Sequence, residues 1–305
     1  MKILIYGAGS LGLSFAHYLH NNEEVVAIAK QERAEAIRKN SLTFIKNKTE
    51  YKDAIDIYDN INDIDINPDV IFLSVKSFDI DDALNDIKSK YKNPTIFTIQ
   101  NGVYAERKIQ EIFSDRNLIA GSSMIGAKII NNNTVEEFVN KGVTLGSLTP
   151  EADVKVKLFA DVLQKSGLNV VISDNIWRDK WRKLIYYCAG STINSLTGTR
   201  DLEDVHLQWM SKRIINEIVQ VGKHLDLNFD IEEVGDGVFD FLMNFKPESW
   251  SASVGEDLRK GKTTEIDFLN GYIVKLSEKF NTDATLNKML YSLVKTIEKT
   301  KYFLR

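Results

Sequence analysis

The segment Gly7-Ala8-Gly9-Ser10-Leu11-Gly12 constrains this chain more than any other feature of it. It follows directly on residues 2–6 (KILIY), a short apolar run of β-formers, and it opens an apolar-periodic stretch from Leu11 to Leu19. That order reads as strand, tight turn, helix. A second strand, Val25 to Ala29, and a charged run of helix formers, Gln31 to Lys39, complete a βαβα start. In this setting Gly7 permits the turn, Gly9 lets backbone approach a pyrophosphate, and Gly12 allows close packing of helix on strand. The helix amides and dipole then receive negative charge, so Gly7 to Gly12, with Ala8, Ser10 and Leu11 between the glycines, are expected to bind a dinucleotide. A purely structural glycine turn is the other reading.

Sites selective for NAD place an acidic residue about 20 positions on, to hold the ribose hydroxyls. Here Ala29-Lys30 occupies that place with Arg33 close behind, which favours the extra phosphate of NADPH/NADP over NAD. A solvated lysine at a helix start would look the same.

Buried-type strands follow at Val70 to Val75, Thr95 to Ile99 and Leu118 to Ser122, separated by helical or polar stretches. Such alternation implies a largely parallel sheet covered on both faces. Two further β-like runs, Thr134 to Val139 and Val143 to Leu145, flank Asn140-Lys141-Gly142 and are expected to form an edge hairpin. Residues 56–68, acidic and rich in Asn, read as a solvated connection. Thr149 before Pro150 reads as a capping residue for a helix running to about Lys165, and one more strand covers Leu168 to Ile172. From Asp174 onward the periodicity is helical. The expected class is α/β, with a doubly wound sheet in residues 1–173 and an all-helical domain in 174–305. A chain of 305 residues has room for both.

Lys plus Arg (39) against Asp plus Glu (43) gives a net charge of −4, so no global basic field draws nucleic acid or anionic lipid. The single cysteine, Cys188, excludes an intrachain disulfide and a cysteine metal cluster, and fits a reducing, cytoplasmic setting. No run approaches the ~18 apolar residues of a membrane span, and the glycines after residue 6 leave no signal peptide. His17 and His20 are three apart without a third clustered ligand, so no metal is expected.

In the helical part, Trp181-Arg182-Lys183-Leu184 sits on a helix expected to begin near Asn175 or Ile176. Lys183, Tyr187 and Ser191, four apart, share one face of that helix. From the residues alone, Lys183 could equally snorkel from a surface helix. Further on, Ser253, Asp257 and Glu265 punctuate a segment in which Thr264 to Asp267 looks like a helix start, where acidic residues often serve only the dipole. Phe239, Phe241, Leu242 and Phe245 are expected to pack the core or, in a homodimer, a subunit contact.

Taken together, GAGSLG at 7–12, Val75-Lys76, Gln100-Asn101-Gly102, Trp181 to Leu184, and S-x-x-x-D-x-x-x-G-x-x-T-E-I-D-x-x-N-G from Ser253 to Gly271 resemble the ketopantoate reductase family over nearly the whole chain. The resemblance implies an N-terminal Rossmann domain and a helical C-terminal domain with the site between them. It also implies reduction of 2-dehydropantoate, a small 2-oxo acid, to pantoate with NADPH in pantothenate and coenzyme A synthesis. Residue by residue, Lys183 matches the family's catalytic proton donor, Asn101 an asparagine near nicotinamide and substrate, and Ser253 a substrate-binding serine. Glu265 matches a glutamate near cofactor and substrate, and Lys76 a lysine at the cofactor edge, while Ala127 falls near another cofactor-contacting segment. The family often has Asn where this chain has Tyr187 and Ser191, which are expected to bind the substrate here, and again where it has Trp250. A hydroxyl offers fewer hydrogen bonds than an amide. Tyr187 and Trp250 make a bulkier 2-oxo acid the alternative substrate, and the missing asparagines make an NADPH-binding sensor without catalysis a second alternative.

Overall fold

The computed structural model describes residues 1–199, 204–244 and 252–300. They divide into two compact units, one of Met1–Gln100 with Ala105–Asp179 and the other of Asn101–Tyr104 with Lys180 onward.

The first unit opens with β1 (Lys2–Tyr6), α1 (Ser10–Leu19), β2 (Glu24–Ile28) and α2 (Gln31–Asn40), as the sequence pattern requires. Then come β3 (Leu42–Lys46), β4 (Thr49–Asp53), β5 (Asp56–Tyr58), β6 (Val70–Leu73), α3 (Ile80–Lys90), β7 (Ile96–Thr98) and α4 (Tyr104–Ile112). β8 (Leu118–Asn131), β9 (Thr134–Gly146), α5 (Asp153–Lys165) and β10 (Val170–Ile172) complete it. The sheet runs β4-β3-β9-β8-β7-β6-β1-β2-β5, with β10 beside β9. Only the β3–β4 and β8–β9 pairs are antiparallel. In β1, Ile3, Leu4 and Ile5 are all fully buried, so both faces of the sheet are covered. On one face Phe15, Phe72, Phe97 and Phe159 stack in sequence at centroid separations of 4.7–4.9 Å, a dense aromatic seam between α1, the sheet and α5.

Several local expectations are corrected. Residues 134–146 form one strand rather than a hairpin, because the long β8 pairs with both halves. Asn140-Lys141-Gly142 is absorbed as a bulge, with Asn140 Oδ1 accepting the Gly142 amide at 3.0 Å, and the chain reverses earlier, at Asn131 to Asn133. The acidic connection at 56–68 contributes β5 and a short 3₁₀ turn at Ile61–Asp63. Thr149 makes no capping bond, and its buried hydroxyl has no partner among the described residues; Pro150 starts a 3₁₀ turn that feeds α5. His17 Nδ1 and His20 Nε2 both meet Asp53, at 2.7 and 3.5 Å, and His17 stacks on Phe44. Among the described residues no group of three or more ligand-type side chains could hold a metal.

The second unit is helical. α6 (Ile176–Tyr186) enters it, followed by a π-turn at Tyr187–Ser191, then α7 (Thr192–Thr197), α8 (Val205–Lys223) and α9 (Ile231–Asn244). α10 (Ser253–Arg259), α11 (Asn270–Phe280) and α12 (Thr285–Thr300) follow. Thr264 to Asp267 does not begin a helix: Ile266–Phe268 is a 3₁₀ turn and α11 starts at Asn270. Phe241 and Leu242 are buried, whereas Phe239 is exposed; Phe245 and Trp250 lie outside the described residues. No helix among the described residues is long and apolar enough to cross a membrane.

Candidate active site

In the first unit the glycine turn sits at the carboxyl edge of the sheet, where β1 hands over to α1. Gly7 takes φ +111°, a conformation that side chains rarely adopt, and a Cβ on Gly12 would stand 2.2 Å from the Gly7 carbonyl oxygen. A Cβ on Gly9 would meet nothing within 4 Å. The turn is thus tight against the protein at its ends and open in the middle, as a pyrophosphate cradle has to be.

Its carbonyls are turned inward by two side chains. Ser74 Oγ donates to the Gly7 carbonyl at 2.7 Å, and Arg33 Nη1 donates to that of Ala8 at 2.9 Å. Ser74 was not singled out from sequence, where a serine after a buried strand carries no signal of its own. Ser10 begins α1 with no side chain capping its amides, and Leu11 packs on the core. Lys30, exposed, precedes the first turn of α2, while burial lowers the basicity of Arg33. These residues fit a dinucleotide, and Lys30 and Arg33 place two cations at the start of α2. Lys76 is exposed just past β6, beside which Gln100 Nε2 donates to the Leu73 and Val75 carbonyls at 2.9 and 3.3 Å. Ala127 stands apart, paired across the β8–β9 ladder with Glu137 well beyond the residues of β8 that adjoin β7.

The second unit gathers Lys183, Tyr187, Asn101 and Glu265. On α6 the residues Trp181, Leu184 and Ile185 are buried, which fixes the helix and leaves Lys183 on a different face. Lys183 Nζ stands 5.7 Å from the centre of the Tyr187 ring. The Tyr187 hydroxyl is hydrogen-bonded by the Asn101 side chain and lies in the field of Glu265; burial above all, with that carboxylate, raises its pKa. Asn101 is brought there by its own segment, since Tyr104 packs on Phe268 at 4.7 Å between ring centres. Glu265 sits between two anchored neighbours. Thr264 is fixed to Glu298 through its amide (2.8 Å) and hydroxyl (2.6 Å), and Asp267 accepts from Tyr291 (2.8 Å) and Lys295 (2.9 Å).

Lys183 as a residue keeps part of its surface exposed, yet its ammonium is deep enough that burial is the first cause lowering its pKa to about 7. The charge of Lys180, one turn earlier, acts in the same direction. Lys180 is itself 2% exposed and is the second residue that sequence reasoning missed; its spacing of three from Lys183 was the available signal. A lysine poised near neutrality can give up a proton to a developing oxyanion.

Lys183 and Tyr187 share a face, and the π-turn that runs from Tyr187 to Ser191 changes the helical spacing between those two residues. Ser191 is buried at 1% exposure, and its hydroxyl has no hydrogen-bond partner among the described residues. Ser253, half-buried, is the first residue of α10. That end is held by α7: Asn194 Oδ1 accepts the Ala252 amide at 3.3 Å, and Ser195 Oγ accepts that of Gly255 at 3.0 Å.

Comparison with known proteins bears on both units. The family model described as ketopantoate reductase PanE/ApbA matches residues 3–150, and that described as ketopantoate reductase PanE/ApbA C terminal matches residues 175–298. The chain is 30% identical over 303 residues to the 2-dehydropantoate 2-reductase of Pyrococcus horikoshii, and 29% identical over 313 residues to that of Lactococcus lactis, with 98% of each chain covered in both cases. Among solved structures it is similar to D-mandelate dehydrogenase in a ternary structure with NADH and anilino(oxo)acetate, at a TM-score of 0.90 and 27% identity over 99% of each chain. With a glycine cradle in one unit, a lysine poised near neutrality in the other and family matches across both, the chain belongs to the ketopantoate reductase family and is an oxidoreductase of that type.

Proposed function

We propose that this chain reduces 2-dehydropantoate to pantoate with NADPH, with Lys183 as the proton donor. The observation that carries the reading is the Lys183 ammonium, brought to about 7 by burial and held in one cluster with Asn101, Tyr187 and Glu265. When bound, the cofactor supplies a hydride to the carbonyl carbon of the 2-oxo acid. As the carbonyl bond opens, its oxygen gains negative charge and takes a proton from Lys183 Nζ, leaving a neutral amine that solvent reprotonates. Asn101 and Ser253 orient the acid, and Tyr187 and Ser191 offer it hydroxyls. Gly7 to Gly12 hold the pyrophosphate, Lys30 the added phosphate, and Lys76, Ala127 and Glu265 further parts of the cofactor. The reaction belongs to pantothenate synthesis in the cytoplasm, a setting in which the buried Cys188 thiol stays reduced.

One observation favours a second reading, a bulkier 2-oxo acid. The large Tyr187 ring stands beside Lys183, and the similar D-mandelate dehydrogenase acts on an acid with an aromatic substituent. Loss of NADPH absorbance with purified protein separates the two. With 2-dehydropantoate, kcat/KM of about 10⁴ M⁻¹s⁻¹ or more is expected. A clear preference for phenylglyoxylate would transfer the assignment to the second reading, and NADPH binding without turnover of any 2-oxo acid would overturn both.

A further inference from the structure

α6 and α7 are one helix with an extra residue in its middle. The Thr192 amide, which in an unbroken α-helix would serve the Cys188 carbonyl, bonds instead to the Tyr187 carbonyl five residues back. The Cys188 carbonyl loses its helical donor inside a residue that is wholly buried. Such a group is rarely left unmet.

Its donor comes from a distant part of the chain. Asn270, the first residue of α11, donates through Nδ2 to the Cys188 carbonyl at 3.4 Å, across 82 positions of sequence. The same amide is used at every point: Nδ2 also donates to Asn287 Oδ1 at 3.0 Å, and Oδ1 accepts the Thr192 hydroxyl at 2.8 Å. Asn287 is fixed in turn by Glu217, whose carboxylate takes Asn287 Nδ2 at 2.7 Å and the amides of Leu286 and Asn287 at 2.8 and 3.0 Å. Thr192, Asn270 and Asn287 are all 0% exposed. An ordinary helix needs no such chain of buried polar groups; this one meets the backbone that the π-turn leaves open. The π-turn carries Tyr187 at its first position, beside Lys183, and Ser191 at its last.

We propose that Asn270, together with Thr192, is a positioning residue for the reduction, holding the Tyr187–Ser191 π-turn open so that both side chains are presented to the 2-oxo acid. The assignment rests on the proposed reading of Lys183 as proton donor, and the experiment keeps the two separable. Asn270→Asp, Thr192→Val, Thr192→Ser and Lys183→Ala are compared in the full chain by steady-state kinetics, NADPH binding and thermal unfolding. Asn270→Asp removes both donors at constant size, and Thr192→Val removes only the hydroxyl. Each is expected to raise KM for the 2-oxo acid about tenfold or more, with a smaller loss in kcat and unchanged NADPH affinity, while Thr192→Ser restores the native KM.

The inference is overturned if Thr192→Val and Thr192→Ser both keep the native KM, or if a folded Asn270→Asp does. It is equally overturned if kcat, KM and cofactor affinity all decline in step with thermal stability, the pattern of a residue that only supports the fold. Should Asn270→Asp not fold, the Thr192 pair decides. Near-native turnover by Lys183→Ala would instead bring down the reading of the site, whatever the π-turn variants do.

Discussion

The proposed role of Lys183 as proton donor requires it to be an ammonium, and burial with the Lys180 charge brings its pKa to about 7. Reduction is therefore expected to slow as pH rises through about 7, read as kcat/KM for the 2-oxo acid. Lys180→Met removes the like charge and should move that limb to higher pH; an unmoved limb would show that Lys180 does not tune the donor. Lys183→Ala should cut turnover by about 10²-fold or more with NADPH still bound. The same group sets a stability trend. Its folded pKa lies below the ordinary 10.5, so between about 7 and 10.5 the unfolded chain holds the proton more tightly and stability rises with pH, the penalty being full below 7. Lys183→Met, inactive, should consequently unfold at a higher temperature than the native chain at pH 6, with the gap narrowing above pH 7. Lys183 itself was legible through the Trp181 to Leu184 motif. Its poise was not, since desolvation depends on what other segments bring around it.

At the level of elements, the two informative glycines of the cradle make opposite predictions. Gly12→Ala forces a Cβ to 2.2 Å from the Gly7 carbonyl and 2.7 Å from Ser74 Oγ, so helix and strand must part; stability should drop by about 1–3 kcal/mol, measured by denaturant unfolding. Gly9→Ala meets no protein atom within 4 Å, so the chain should unfold as the native one does while its NADPH affinity falls about tenfold or more. Equal effects at both positions would mean that the turn has only a structural role. β1, α1, β2 and α2 were readable because their periods of 2 and 3.6 are local. The failures also have local causes. Asn140-Lys141-Gly142 has turn chemistry, but β8 is long enough to pair on both sides of it, and Thr149 has the right identity for a cap but its hydroxyl is turned into the interior. The π-turn leaves no trace in a pattern of apolar residues, and the side chain that donates to its Cys188 carbonyl, Asn270, lies 82 residues away.

For the molecule as a whole, cofactor binding and stability are linked, because a ligand that binds only the folded state shifts unfolding by RT ln(1 + [L]/Kd), about 2.7 kcal/mol at a hundred times Kd. With Lys30 and Arg33 at the start of α2, NADPH should raise the unfolding temperature more than NADH at equal concentration, and Lys30→Ala should erase most of the difference. An equal rise with both cofactors would leave Lys30 as a solvated lysine. The sequence by itself determined the α/β class, the glycine cradle, the change to helical texture and the family to which the chain belongs, because these rest on short-range periods and on motifs whose order is written along the chain. Only the tertiary structure decided which side chains meet. The company of Asn101 and Glu265 at Tyr187, the pKa of Lys183 and the satisfaction of the Cys188 carbonyl by Asn270 all depend on burial and on hydrogen-bond geometry between segments that are remote in sequence.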